Sequence, residues 1–133
     1  MNSIQTRIIY ADTDQMGVVY YANYLVFFEK GRAELFRQIG LDYKAVEQKG
    51  FFFPVIHCEC DYLAPARYDD IINIETKLTE ITAASIVCSY EIKCGGNLLV
   101  KGNSRHPFVS KETLKPTRFP KDIKEILEKN LEK

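Results

Sequence analysis

Residues 12–24, "DTDQMGVVYYANY", hold most of the groups in this chain that could do chemistry together. Two carboxylates, Asp12 and Asp14, precede Gly17, an apolar pair, three tyrosines and Asn23, at what reads as the mouth of a helix. A carboxylate can attack an acyl carbon to give a mixed anhydride, or can take a proton from water. Free amides at a helix N-terminus, aided by the helix dipole, suit a developing oxyanion. Gly17 lets the chain fold back toward that terminus. The stretch therefore contains the parts for transfer of an acyl group to water. The same residues could instead cap a turn, with the tyrosines in the core, and spacing alone leaves both readings open. No G-x-S-x-G elbow and no Ser-His-Asp order occurs, which excludes an α/β-hydrolase arrangement. His57 and His106 have no acid at a recognisable pairing distance and read as structural imidazoles.

The elements that must position this stretch can be read on either side of it. "IQTRIIY" has the β-branched and aromatic content of a first strand. "NYLVFFEKGRAELFRQIGLDY" reads as a helix with Asn23 as N-cap and an apolar stripe of Leu25, Phe28, Leu35, Phe36 and Ile39. Gly40 stands where a left-handed C-cap belongs. Gly31 costs a helix about 1 kcal/mol against alanine, so its position predicts close approach of another backbone. Glu29 and Arg32 are spaced to pair on the helix surface. Ile72, Ile74, Thr76 and Leu78, then Ile86, Cys88, Tyr90 and Ile92, alternate with polar residues, the period of a half-covered antiparallel sheet. "CGGNLL" marks a hairpin between strands and "APARYDD" a looser connection. The charged tail, "LKPTRFPKDIKEILEKNLEK", reads as a turn and a short solvated helix. One strand, one long helix and about four further strands make an α+β layout with a helix packed on an antiparallel sheet.

The chain's 133 residues, 1–133, suit a single domain. Eighteen basic residues balance eighteen acidic ones, so no basic field argues for nucleic acid or an anionic membrane. No apolar run approaches the roughly 20 residues of a membrane helix, and the N-terminus turns charged within a few residues; a cytoplasmic protein is expected. Cys58, Cys60, Cys88 and Cys94 lack the spacing of a zinc site and read as buried or half-buried thiols.

The run "YADTDQMGVVYYANYLVFFEKGR" resembles the signature of the 4-hydroxybenzoyl-CoA thioesterase family of hotdog-fold enzymes, which includes YbgC-type acyl-CoA thioesterases. The resemblance continues in "PARYDD" and "PTRFP", spanning roughly residues 4 to 122. It implies a hotdog fold, an antiparallel sheet of about five strands wrapped around one long helix, with active sites at subunit interfaces. It makes Asp14 the catalytic carboxylate and the Tyr21 backbone N–H the group that polarises the thioester carbonyl. YbgC-like members commonly carry histidine where this chain has Tyr21, a departure that argues against a histidine-assisted mechanism and leaves the aspartate in place.

On that basis the expected activity is hydrolysis of an acyl- or aroyl-CoA. Gly17, Val18, Tyr20, Asn23 and Tyr24 would line the acyl slot. Lys93, Lys101, Arg105 and Arg118 are candidates to hold the coenzyme A phosphates. Neither a metal nor an organic cofactor is expected, coenzyme A being part of the substrate. Asp12 is assigned a turn or interface hydrogen bond. An acyl carrier protein thioesterase and a non-catalytic acyl-CoA-binding module are the alternatives. One helix cannot cover five strands and leave a complete slot, so a homodimer, or a tetramer of two dimers, is expected.

Overall fold

A computed structural model describes residues 1–132. Five strands form one antiparallel sheet in the order β1-β4-β5-β6-β3. They are β1 (Asn2–Arg7), β3 (His57–Tyr62), β4 (Ile71–Ile81), β5 (Ser85–Cys94) and β6 (Asn97–Pro107). A second, two-stranded sheet pairs β2 (Phe51–Phe52) with β7 (Val109–Ser110). The long helix α1 (Asn23–Gln38) lies across β1, β4 and β5. This is the hotdog architecture that the resemblance implies. Two short helices complete it, α2 (Tyr43–Gln48) and α3 (Lys121–Lys129).

The period-two pattern sets which face of the sheet meets the helix. Ile72, Ile74, Thr76 and Leu78 on β4 are all buried, as are Ile86, Cys88, Tyr90 and Ile92 on β5. Gly95 and Gly96, both at positive φ, make the β5–β6 turn, and Gly40 (φ 81°) follows α1 as expected. Gly31 does mark close approach, but to side chains. A Cβ there would stand 2.3 Å from Thr76 Oγ1 and 2.8 Å from Ile74 Cγ2. Gly102 on β6 plays the matching part for Phe28, whose ring lies flat on Tyr90 with centroids 4.2 Å apart.

Several expectations need correction. Asn23 is the first residue of α1 and does not cap it; Ala22 holds the cap position, with no side-chain hydrogen bond. The helix phase is set by Tyr24, so the buried face runs Tyr24, Phe27, Phe28, Gly31, Arg32, Leu35 and Phe36. Leu25 is rotated off that face and exposed. Arg32 is therefore buried, bonded to Tyr43 and Tyr90, and forms no pair with Glu29. The tail helix is half-buried, since Ile123 and Leu127 enter the core. Cys58 is exposed on the edge strand β3, while Cys88 is buried. The small elements α2, β2 and β7 had no periodic signal long enough to read. They sit by an aromatic cluster in which Phe51 stacks on Phe108, and Phe53, Phe108 and Phe119 pack with tilted rings.

Candidate active site

The acid-bearing stretch folds as a tight turn placed against the start of α1. Residues Tyr10–Asp12 make one turn of 3-10 helix. Thr13 and Val19 then bridge, and the Asp14 N–H donates to the Val18 carbonyl at 2.9 Å. Inside that loop the Gly17 N–H donates to the Asp14 carbonyl at 3.0 Å. Gly17 sits at φ 79°, a backbone state that glycine adopts at little cost. The Met16 N–H donates to Asp14 Oδ1 at 2.8 Å, which holds the carboxylate against its own turn. Oδ2 makes no hydrogen bond among the described residues.

The two aspartates have separate work. Asp12 Oδ2 accepts from the Ile9 N–H at 2.9 Å, the turn bond expected of it, within the 3-10 turn. Its backbone carbonyl accepts from both the Tyr20 N–H and the Asn23 Nδ2, each at 2.9 Å. Asn23 thus ties the first turn of α1 to the acid-bearing segment. The cap position falls on Ala22, whose methyl side chain cannot accept a hydrogen bond, so no side chain caps the helix. The Tyr21 and Ala22 N–H groups have no backbone partner among the described residues. Forgoing a cap costs a helix about 0.5–2 kcal/mol, and it leaves donors available to a ligand.

A cleft of about 350 Å³ opens between this turn, the start of α1 and the segment after β3. Asp14, Val18, Tyr21 and Tyr24 all line it, so four of the residues singled out from sequence meet in one place. Tyr20 is outside the cleft and packs against Tyr21, with ring centroids 4.8 Å apart. Gly17 shapes the turn without lining the cleft, and Asn23 acts from behind it.

The opposite wall is Tyr62 to Pro65, which the spacing of the sequence did not single out. The Tyr62 hydroxyl donates to the Tyr21 carbonyl at 3.0 Å, joining the end of β3 to the start of α1. Burial pushes its phenol up to about 12, so it acts as a donor at neutral pH. Tyr24 is buried at the base, where its hydroxyl accepts from the Ala66 N–H at 3.2 Å. A usable signal was present, since Tyr62 and Leu63 break the polar pattern of the outer strand and remain exposed.

The four basic candidates do not reach this cleft. Lys93 lies between Glu75 (3.2 Å) and Glu91 (3.5 Å). Arg105 pairs with Glu80 at 3.3 Å. Lys101 is exposed on β6 opposite Asp61, and Arg118 is exposed before α3. His57 faces solvent against Glu59 at 2.9 Å. His106 is buried, with its ring nitrogens bonded to Ser104 (2.6 Å) and the Pro54 carbonyl (3.1 Å).

A family model described as the thioesterase-like superfamily matches residues 10–127. YneP of Bacillus subtilis is 37% identical over 118 residues, covering 88% of this chain and 86% of that one. The acyl-CoA thioesterase YbgC of Haemophilus influenzae is 33% identical over 123 residues, covering 92% and 90%. Among solved structures, the DHNA-CoA thioesterase of Staphylococcus aureus superposes with a TM-score of 0.90 at 27% identity, covering 96% of this chain and 88% of that one.

Proposed function

The chain belongs to the thioesterase-like superfamily, and from that premise we propose that it hydrolyses the thioester of an acyl-CoA. Asp14 is the nucleophile or general base, and the Tyr21 N–H is the oxyanion donor. One observation carries the reading: a carboxylate and an uncapped helix start open into the same apolar-walled cleft. In the general-base form, Asp14 takes a proton from water as its oxygen bonds to the acyl carbon. The Tyr21 N–H holds the charge gathering on the carbonyl oxygen, and the C–S bond breaks to release coenzyme A. In the nucleophilic form, an Asp14 oxygen bonds to that carbon and the C–S bond breaks to release the coenzyme A thiolate, and water then opens the mixed anhydride to the free acid and the Asp14 carboxylate.

The reading includes assembly. The edge of β3 that faces away from β6 has no strand partner among the described residues, and Val55, Ile56, Tyr62 and Leu63 beside it are exposed. Such an edge invites pairing, and a homodimer would cover it and close the cleft. A dimer would also bring a second set of cations toward the mouth. Lys101 and Arg118, which form no ion pair among the described residues, are the candidates for coenzyme A phosphates that remain. The test is thiol release from short, long and aromatic acyl-CoA thioesters. Turnover of at least one at kcat/KM above about 10⁴ M⁻¹s⁻¹ supports the proposal, and no release above the uncatalysed rate from any of them rejects it.

A further inference from the structure

A second feature of the same face concerns how far along it a substrate reaches, and it rests on the thioesterase reading above. Tyr24 is the last α1 residue to line the cleft, and one turn further along the helix a second space opens between α1 and β3. Leu25, Phe28, Glu29 and Arg32 on the helix face Cys58 on β3 across a cavity of about 290 Å³. Arg32 and Glu29 also line an adjoining cavity of about 630 Å³ walled by Phe52 and Phe53. Arg32 therefore stands where the two spaces meet.

Arg32 is 7% exposed, and its guanidinium has only neutral partners. Its Nε donates to the Tyr43 hydroxyl at 2.7 Å and Nη1 to the Tyr90 hydroxyl at 3.1 Å. Tyr90 continues to Ser104 at 2.6 Å, and Ser104 to His106 at 2.6 Å. Burial raises both phenols, and pushes the neighbouring Cys88 thiol up to about 12, so none of them is an anion at neutral pH. Among the described residues no carboxylate lies within ion-pair distance of Arg32. Glu29, one turn earlier, shares the cavity walls but is exposed and forms no ion pair among the described residues.

A buried charge without a counter-ion is costly, because water no longer solvates it. A bolt between α1, α2 and β5 could be built from a neutral side chain without that cost. Nη2 has no hydrogen-bond partner among the described residues, yet it is not among the buried polar atoms cut off from solvent. It is open to the cavities, with donors to spare for a planar anion.

The separation suits one kind of occupant. Eleven residues from Tyr21 to Arg32 advance about 16 Å along a helix, and an arginine side chain leans back over roughly one turn of about 5 Å. About 10 Å remains between the carbonyl site and the guanidinium. An extended chain advances about 1.2 Å per bond, so about eight bonds span it. We propose that Arg32 is a specificity-determining residue that receives a carboxylate at the far end of a medium-length acyl group. The preferred substrate is then a coenzyme A monothioester of a dicarboxylic acid of about eight carbons.

The experiment compares suberyl-CoA, octanoyl-CoA and the ω-hydroxy analogue of octanoyl-CoA by thiol release, using wild-type and Arg32→Met protein. Wild-type kcat/KM should favour suberyl-CoA over octanoyl-CoA by at least about tenfold, the scale of a charge-assisted hydrogen bond. Arg32→Met should reduce that ratio by at least about tenfold. Calorimetric binding of the non-hydrolysable thioether analogues of the suberyl and octanoyl compounds reads the same ratio without turnover. Absence of hydrolysis would thus sink the thioesterase reading while the binding ratio still decides this one. A wild-type protein that ranks octanoyl at or above suberyl overturns the proposal even if Arg32→Met does not fold. A ratio unchanged in a folded Arg32→Met protein overturns it too, as would an ω-hydroxy analogue that matches the carboxylate compound.

Discussion

Replacing His106 with glutamine should flatten the acid side of the stability curve. The ring is fully buried between Ser104 and the Pro54 carbonyl. Burial first, and the positive charge of Arg32 second, hold the imidazole at about 4 against an ordinary value of 6.5. Above pH 6.5 the ring is neutral in both folded and unfolded chains, and stability does not depend on its titration. As pH falls from 6.5 toward about 4, the unfolded chain gains a proton that the folded chain refuses. Stability should then fall by up to about 1.4 kcal/mol per pH unit, or about 3 kcal/mol by pH 4. Below that, both states carry the proton and the contribution stays lost. The assay is urea unfolding at pH 7.5, 6.5, 5.5 and 4.5 for wild-type and His106→Gln protein. The carboxylates held low, Glu59 by the His57 side chain and Asp122 by the Ile123 N–H and then Lys49, are common to both proteins and cancel in the difference. The variant should be less stable at pH 7.5, and the gap should narrow by about 2 kcal/mol by pH 4.5. Parallel curves over that range would refute the claim that the buried imidazole stays neutral.

Gly102→Ala should destabilise by about 1–3 kcal/mol or more, read as a lowered melting temperature, because its Cβ would stand 2.3 Å from the Glu59 carbonyl oxygen and 2.7 Å from the Phe28 ring. A melt within a degree of wild type would show that Phe28 does not need the bare strand beneath it. Tyr21→Phe should retain most thiol release, since the amide is unchanged, whereas Tyr21→Pro removes the donor and most activity with it. Loss of turnover in a folded Tyr21→Phe protein would give the role to the hydroxyl instead. Sedimentation at micromolar concentration should give a dimer or larger assembly, and a fully active monomer would contradict the covered β3 edge.

Much of the fold was legible because two long signals carried it. The alternation from Ile72 to Leu78 and from Ile86 to Ile92 placed two strands and their buried face, while Gly40 marked the end of α1 and Gly95 and Gly96 the hairpin turn, each in the expected place. The helix was legible, but its rotation was not. Leu25 and Tyr24 are adjacent apolar residues, and only contact with the sheet decides which of them turns inward. The same shift of phase carried Arg32 from a presumed surface pair into the core, where Tyr43 and Tyr90 accept its hydrogen bonds. Asn23 misled in an instructive way, because an asparagine at a helix start is normally a cap, and here a carbonyl eleven residues earlier takes its side chain. The near wall of the cleft is local in sequence and could be read as a unit. The far wall comes from Tyr62 to Pro65, about forty residues on, and is joined to it by tertiary pairing that no local pattern reports.

The central claim stands on one carboxylate, and Asp14→Asn tests it most directly. The amide keeps the size of the side chain and can still accept from the Met16 N–H, so the turn should survive. It is a poor base and a poor nucleophile. Steady-state thiol release should be measured for Asp14→Asn and Asp12→Asn beside thermal melts of both. The account predicts that Asp14→Asn melts near wild type with kcat reduced at least about a hundredfold, while any loss in Asp12→Asn follows its stability. A folded Asp14→Asn protein with near-normal kcat would contradict it.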